Sequence, residues 1–133
     1  MFESQMTTYY GTKRVSAWPE FRDNAEGYGV QYEDGYISWS PKAAFEAAYR
    51  SEGQLNFGHA LEALKSGLRV QRAGWNDKGM WLALVNAENY TVDAVRSGSH
   101  SVLPFTGMKT ADDHFVPWLV SQTDVLAEDW SIV

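Results

Sequence analysis

Residues 57–81, FGHALEALKSGLRVQRAGWNDKGMW, decide the fold, because they join the chain's clearest helix to its clearest turn and carry two of its six tryptophans. Phe57, Ala60, Leu61 and Leu64 recur at i, i+3, i+4 and i+7, one apolar face of an α-helix, and Asn56 stands at its capping position. Gly67 ends that helix, since only glycine takes the left-handed C-cap conformation without a Cβ penalty, and Lys65 suits the negative end of the helix dipole. Leu68 to Ala73 alternates Leu68 and Val70 against Arg69 and Gln71, and the apolar run Met80 to Val85 can pair back against it. Between these two strands, Gly74 to Gly79 is rich in residues that tolerate positive φ, which places Trp75 on or beside a turn and makes it available for contact.

Working outward, the N-terminal third is a separate small module. Residues 11–18 have weak strand character that Pro19 stops, and 20–27 read as a loop. Tyr28, Val30 and Tyr32 alternate with Gly29, Gln31 and Glu33; Asp34-Gly35 supplies a hairpin turn and residues 36–39 return. Ser40-Pro41 reads as a helix start, a capping hydroxyl followed by proline at the first helical position, with the helix running to about Arg50. Residues 51–54 form the boundary, giving a hairpin–helix module at 1–53 and a second domain at 54–133.

Beyond Val85, residues 86–102 are polar and small and read as a long irregular loop. Leu103 to Thr110 and His114 to Val120 form another hairpin about Asp112-Asp113, with Pro117 arguing for an edge strand. Ser121 to Asp124 fits a capping box opening a short helix, and residues 129–133 form a final strand. The class is α+β: a small antiparallel sheet of hairpins with two or three short helices.

Composition narrows the function. With 17 acidic against 11 basic residues and a formal charge of −6, a broad interface with DNA or RNA polymers is disfavoured, while a small anionic ligand needs only a few basic groups in one place. The absence of cysteine removes disulfides and thiolate chemistry. No apolar run approaches the roughly 18 residues of a membrane span, and the first residues lack the pattern of a signal peptide, so cytosol is the default compartment. Three histidines without metal-ligand spacing imply no metal, no motif calls for a cofactor, and no nucleophile elbow or phosphate loop points to an enzyme. Six tryptophans and seven tyrosines exceed the needs of an ordinary core, and both types are enriched at binding surfaces.

The constellation with chemistry in it is Arg72, Trp75, Asn76, Lys109, Trp118, Ser121, Gln122, Thr123 and Asp124. An indole can stack on a purine, an amide or carboxylate can read its edge, and cations beside a helix start can hold phosphates. Core packing explains Trp118 equally well, capping explains Ser121, and a solvated strand face explains Arg72, so the residues alone leave both readings open.

The segments FGHALEALKSGLRVQRAGWNDKGMWLALV and LPFTGMKTADDHFVPWLVSQTDVLAEDW, in that order, closely resemble the phage Thoeris anti-defence 2 family over residues 57 to about 130. YYGTKRVSAW and GYISWSPKAAFEAAYR resemble an N-terminal segment that accompanies this domain in some phage proteins. The resemblance implies a non-enzymatic homo-oligomer, typically a tetramer, in the cytoplasm of the infected host. It implies a sponge that sequesters, without cleaving, a cyclic ADP-ribose signal of the glycocyclic type made by a TIR-domain enzyme. Some members hold cyclic oligonucleotides in separate pockets. The implied ligand region is Trp75 and Asn76 in GWN, Trp118 in VPW, and Ser121 to Asp124 in SQTD; Arg72 and Lys109 are added on the phosphate argument alone. Two departures stand out: Asp113 and His114 where a glycine-containing turn is usual, and His59 where an acid is common. A nucleotide-signal hydrolase and a phage accessory or assembly protein are the competing functions.

Overall fold

The structure is a computed structural model and describes residues 3–93 and 100–133, without the side chains of Glu3 and Asn76. The chain divides into two compact units, the first ending at Tyr49 and the second beginning at Arg50.

In the first unit, β1 (Ser16–Pro19), β2 (Gly27–Gln31) and β3 (Ile37–Pro41) form an antiparallel sheet in that order. The hairpin between β2 and β3 turns where Asp34-Gly35 predicts: Gly35 takes φ +91° and Asp34 Oδ1 accepts from Tyr36 N at 3.0 Å. Alternation puts Tyr28 and Val30 on one face, where Tyr28 stacks on Phe45 and Phe45 on Tyr49 at 4.3 and 4.9 Å. The other face is floored by Gly27 and Gly29, on which the rings of Trp39 and Trp18 lie; a Cβ at either glycine would fall within 2.3 Å of an indole carbon. Both indole N–H groups donate to Glu20, one to its side chain and one to its carbonyl, each at 2.9 Å.

Two local expectations change here. Pro19 sits inside β1 as its last residue, opposite Tyr28, a position an edge strand tolerates. The helix α1 spans Lys42–Ala48, shorter than expected, with Pro41 at its N-cap and no side-chain cap. The pairing of Ser40 with Tyr28 and of Pro41 with Gly27 keeps both residues in the ladder, so the Ser40 hydroxyl turns to the carbonyl of Pro41 instead.

The second unit is built on α2 (Phe57–Lys65), as the apolar spacing predicts. Asn56 Oδ1 accepts from His59 N at 3.0 Å, and His59 Nδ1 accepts from Asn56 N at 3.3 Å. His59 thus fills the place that an acid takes in the usual capping box. At the other end Gly67 has φ +86°, its N–H meets Leu64 O, and Leu68 N meets Ala63 O, a Schellman closure.

The strands β4 (Val70–Arg72), β5 (Trp81–Val85), β6 (Phe105–Lys109), β7 (Phe115–Pro117) and, after the short α3 (Gln122–Val125), β8 (Trp130–Ile132) form one antiparallel sheet. Its order is β7-β6-β5-β4-β8, so the last strand of the chain closes beside β4 and Pro117 lies on an edge. Ala60, Ala63 and Leu64 of α2 pack on Val70, Leu82 and Trp130 to form the core. The turn between β6 and β7 needs one left-handed residue, and Asp113 supplies it at φ +68°. Of the expected loop at 86–102, residues 94–99 lie outside the described residues, and Ala87–Asn89 form a single 3₁₀ turn. The fold class is α+β, as the sequence predicts.

Candidate functional site

Along β4 the side-chain period of two puts Arg72 on the same face as buried Val70, toward the core and opposite Trp130. A guanidinium in that register needs anionic partners, and it has two. Its Nε and Nη2 donate to Asp129 Oδ1 and Oδ2 at 2.9 and 3.3 Å, and Nη1 donates to Asp124 Oδ1 at 2.9 Å. The bonds from Arg72 hold the Asp129 carboxyl below its ordinary pKa, and those from Asp129 and then Asp124 raise that of the guanidinium. The Arg72 and Asp124 side chains are 22% and 18% exposed, so the pair is screened from bulk water yet reachable from it.

Asp124 is fixed from three sides. Its Oδ2 accepts from Ser121 Oγ at 2.8 Å, its N–H donates to the same oxygen at 3.1 Å, and its carbonyl accepts the Trp130 indole N–H at 3.1 Å. Ser121 is therefore the helix cap that the sequence predicts, with its hydroxyl fully engaged. Gln122 and Thr123, one turn along, are exposed.

Beside this network stands an aromatic cluster. Trp75 meets Trp118 and Trp130 edge-on at 6.3 and 5.4 Å, Trp118 meets Trp130 at 6.4 Å, and Phe57 packs against Trp118 and Trp130. Trp75 is carried by a 3₁₀ helix, Ala73–Lys78, rather than by an open turn, and packs half-buried against the core. Trp118 is likewise half-buried, so it serves the core and keeps an exposed edge. The side chain of Asn76 lies outside what the structure describes.

Of the nine residues singled out in the sequence, the structure brings together Arg72, Trp75, Trp118, Ser121 and Asp124, with Gln122 and Thr123 on the adjoining turn. Lys109 is elsewhere. The register Val70↔Leu82↔Met108 runs through the core face, which turns Lys109 and its partner Trp81 to the opposite face of the sheet. There Lys109 Nζ donates to Gly79 O at 3.1 Å and lies 3.5 Å from Asp113, while the Arg69 guanidinium covers the Trp81 ring at 4.1 Å.

The sequence reading left Asp129, Trp130 and Phe57 out of the candidate site. A signal for the first two existed: an arginine in the apolar register of a strand calls for an acid, and the DW pair at 129–130 offers one beside a large core residue. An open groove of about 380 Å³, lined by Arg14, Ser16, Gln31, Tyr32 and Glu33 among others, belongs to the N-terminal unit and shares no residue with the aromatic cluster. Among the described residues, no group of three or more His, Asp or Glu side chains could hold a metal ion, and no helix is long and apolar enough to cross a membrane.

Two comparisons with known proteins bear on this chain. A curated relative named Thoeris anti-defense 2, from Bacillus phage SP01, is 45% identical over 85 residues, covering 60% of this chain and 96% of the relative. The profile of the Tad2-like family, the Thoeris anti-defense 2-like domain, matches residues 55–133, which hold α2, the five-stranded sheet and every residue of the aromatic and ionic clusters. With more than half its length in that match, the chain belongs to the Thoeris anti-defense 2-like family.

Proposed function

We propose that this protein is a phage anti-defence sponge that binds a TIR-derived cyclic ADP-ribose signal of the glycocyclic type and withholds it from its effector without cleaving it. Family membership supports the anti-defence role. The observation that carries the ligand reading is that Trp75 and Trp118 both pack against Trp130, whose indole N–H is bonded to the carbonyl of Asp124 at the end of the Ser121–Asp124 segment. Indole edges and faces there suit a base, and polar side chains at its rim suit base edges and ribose hydroxyls.

In this reading Trp75 and Trp118 pack on the base, and Asn76, Gln122, Thr123 and Asp124 read polar groups. Ser121 holds the segment in place. Arg72 acts through Asp124, because two carboxylates take three of its five N–H groups and more than balance its charge. Lys109 lies on the other sheet face and falls outside the contact set. The protein works as a homo-oligomer, in tetramer form, in the host cytoplasm, and cyclic oligonucleotides are competitors to be tested. Sponge action needs affinity near nanomolar, about −12 kcal/mol, to compete with the effector.

The test is incubation with the cyclic signal made by a TIR enzyme, filtration, heat release and mass analysis. Intact signal retained and then released supports the sponge. Converted signal identifies a hydrolase, and unretained, unchanged signal removes this ligand from the reading.

A further inference from the structure

Arg72 is the only link that ties β4, and with it the 3₁₀ turn bearing Trp75, to both Asp124 and Asp129 through side-chain bonds among the described residues. Its three donated bonds are directional. Asp129 takes two of them in the fork geometry that a carboxylate offers a guanidinium, and this sets the plane in which the third points at Asp124. The carbonyl of Asp129 also accepts from Ala73 N at 3.2 Å, so the acid is fastened to the strand it orients.

Charge adds a second argument. One guanidinium between two carboxylates leaves the patch net negative, which disfavours a phosphate at this point and favours hydrogen-bond donors. The Asp124 carboxylate has about four acceptor positions, of which Arg72 and Ser121 use one on each oxygen. The positions left suit ribose hydroxyls or an exocyclic amino group.

We infer that Asp129 is a positioning residue that, through Arg72, holds the Asp124 carboxylate ready to accept hydrogens from a ligand's ribose hydroxyl or base amino group, and that Arg72 itself makes no phosphate contact. This rests on the sponge reading of the same patch. It assigns the site's polar selectivity to donor groups of the ligand and moves the recognition of its phosphates to other residues.

The test uses the full chain and the TIR-made cyclic signal, with affinity followed by calorimetry in Asp129→Asn, Arg72→Lys, Asp124→Asn and the double variant Asp129→Asn/Asp124→Asn. Asp129→Asn and Arg72→Lys should each weaken binding roughly ten- to hundredfold, the scale of a lost charge-assisted contact. Lysine keeps the charge but not the fork, so it would preserve a phosphate contact and cannot preserve this one. In the Asp124→Asn background, Asp129→Asn should cost nothing further, because its effect passes through the missing carboxylate. Unchanged or tighter binding by Asp129→Asn, wild-type affinity in Arg72→Lys, or additive losses in the cycle would each overturn the inference while leaving the sponge intact. If Asp129→Asn does not fold, Arg72→Lys decides alone. No retention of the signal by the unaltered protein overturns the sponge reading and this inference together.

Discussion

Replacing Arg72 with methionine keeps the length and apolar stem of the side chain and removes the guanidinium, leaving Asp124 and Asp129 without their shared cation. Truncating one partner of a well-buried ion pair costs about 3–5 kcal/mol. Here the Asp129 side chain is 37% exposed, which lets water and salt take up part of the loss. Discounted for that, the cost is about 2 kcal/mol, or roughly 10 °C in the melting temperature of a unit this small. The sign with pH follows from Asp129, whose carboxyl the bonds from Arg72 hold below its ordinary pKa in the folded state. The unfolded chain binds that proton first, so the stabilisation is complete above about pH 5 and fades as pH falls through the folded value. Arg72, whose pKa the bonds to Asp129 and then Asp124 raise further, stays charged throughout. The measurement is thermal unfolding of both proteins at pH 7 and pH 3, with exchange of the Trp130 indole proton, donated to Asp124 O, as a reporter on this unit. A variant that melts with the unaltered protein at pH 7, or a gap as wide at pH 3 as at pH 7, refutes the reasoning.

Two other substitutions probe the backbone. Gly29→Ala places a methyl 2.2 Å from the Trp18 ring, so the indole must leave the sheet; the loss should be about 1–3 kcal/mol in the N-terminal unit, with red-shifted tryptophan emission, and unchanged emission and melting would contradict it. Asp113→Val puts a β-branched residue at φ +68°, at a cost of about 1–2 kcal/mol, whereas Asp113→Gly should melt near the unaltered protein; equal melting of the valine and glycine variants would show that the turn is not constrained as described.

What was legible in the sequence was what neighbouring residues decide among themselves. Asp34-Gly35 marks its hairpin, Gly67 its helix end and Ser121 its cap, because in each case the groups that satisfy the backbone lie within a few positions. Ser40-Pro41 shows the limit of such signals. It is as good a helix start as any in the chain, yet the ladder to Gly27 and Tyr28 claims both residues and moves the helix on by one. Strand pairing, set by residues a dozen positions away, outweighed a cap worth about 1 kcal/mol.

The site was harder to read for the same reason at longer range. Alternation alone places Arg72 on the face of Val70, and so calls for a buried anion, but it does not say which acid arrives. The acids come from positions 52 and 57 residues further on, brought there because β8 closes beside β4. The register from β4 through β5 to β6 separates Lys109 from Arg72. Two cations that look interchangeable to a phosphate argument fall on opposite faces once Val70, Leu82 and Met108 are aligned. A basic residue counted from composition is a free charge only until its register is known. In this chain, register sets Arg72 between two carboxylates, and on the proposed reading a ligand that fits the patch presents hydrogen-bond donors to Asp124.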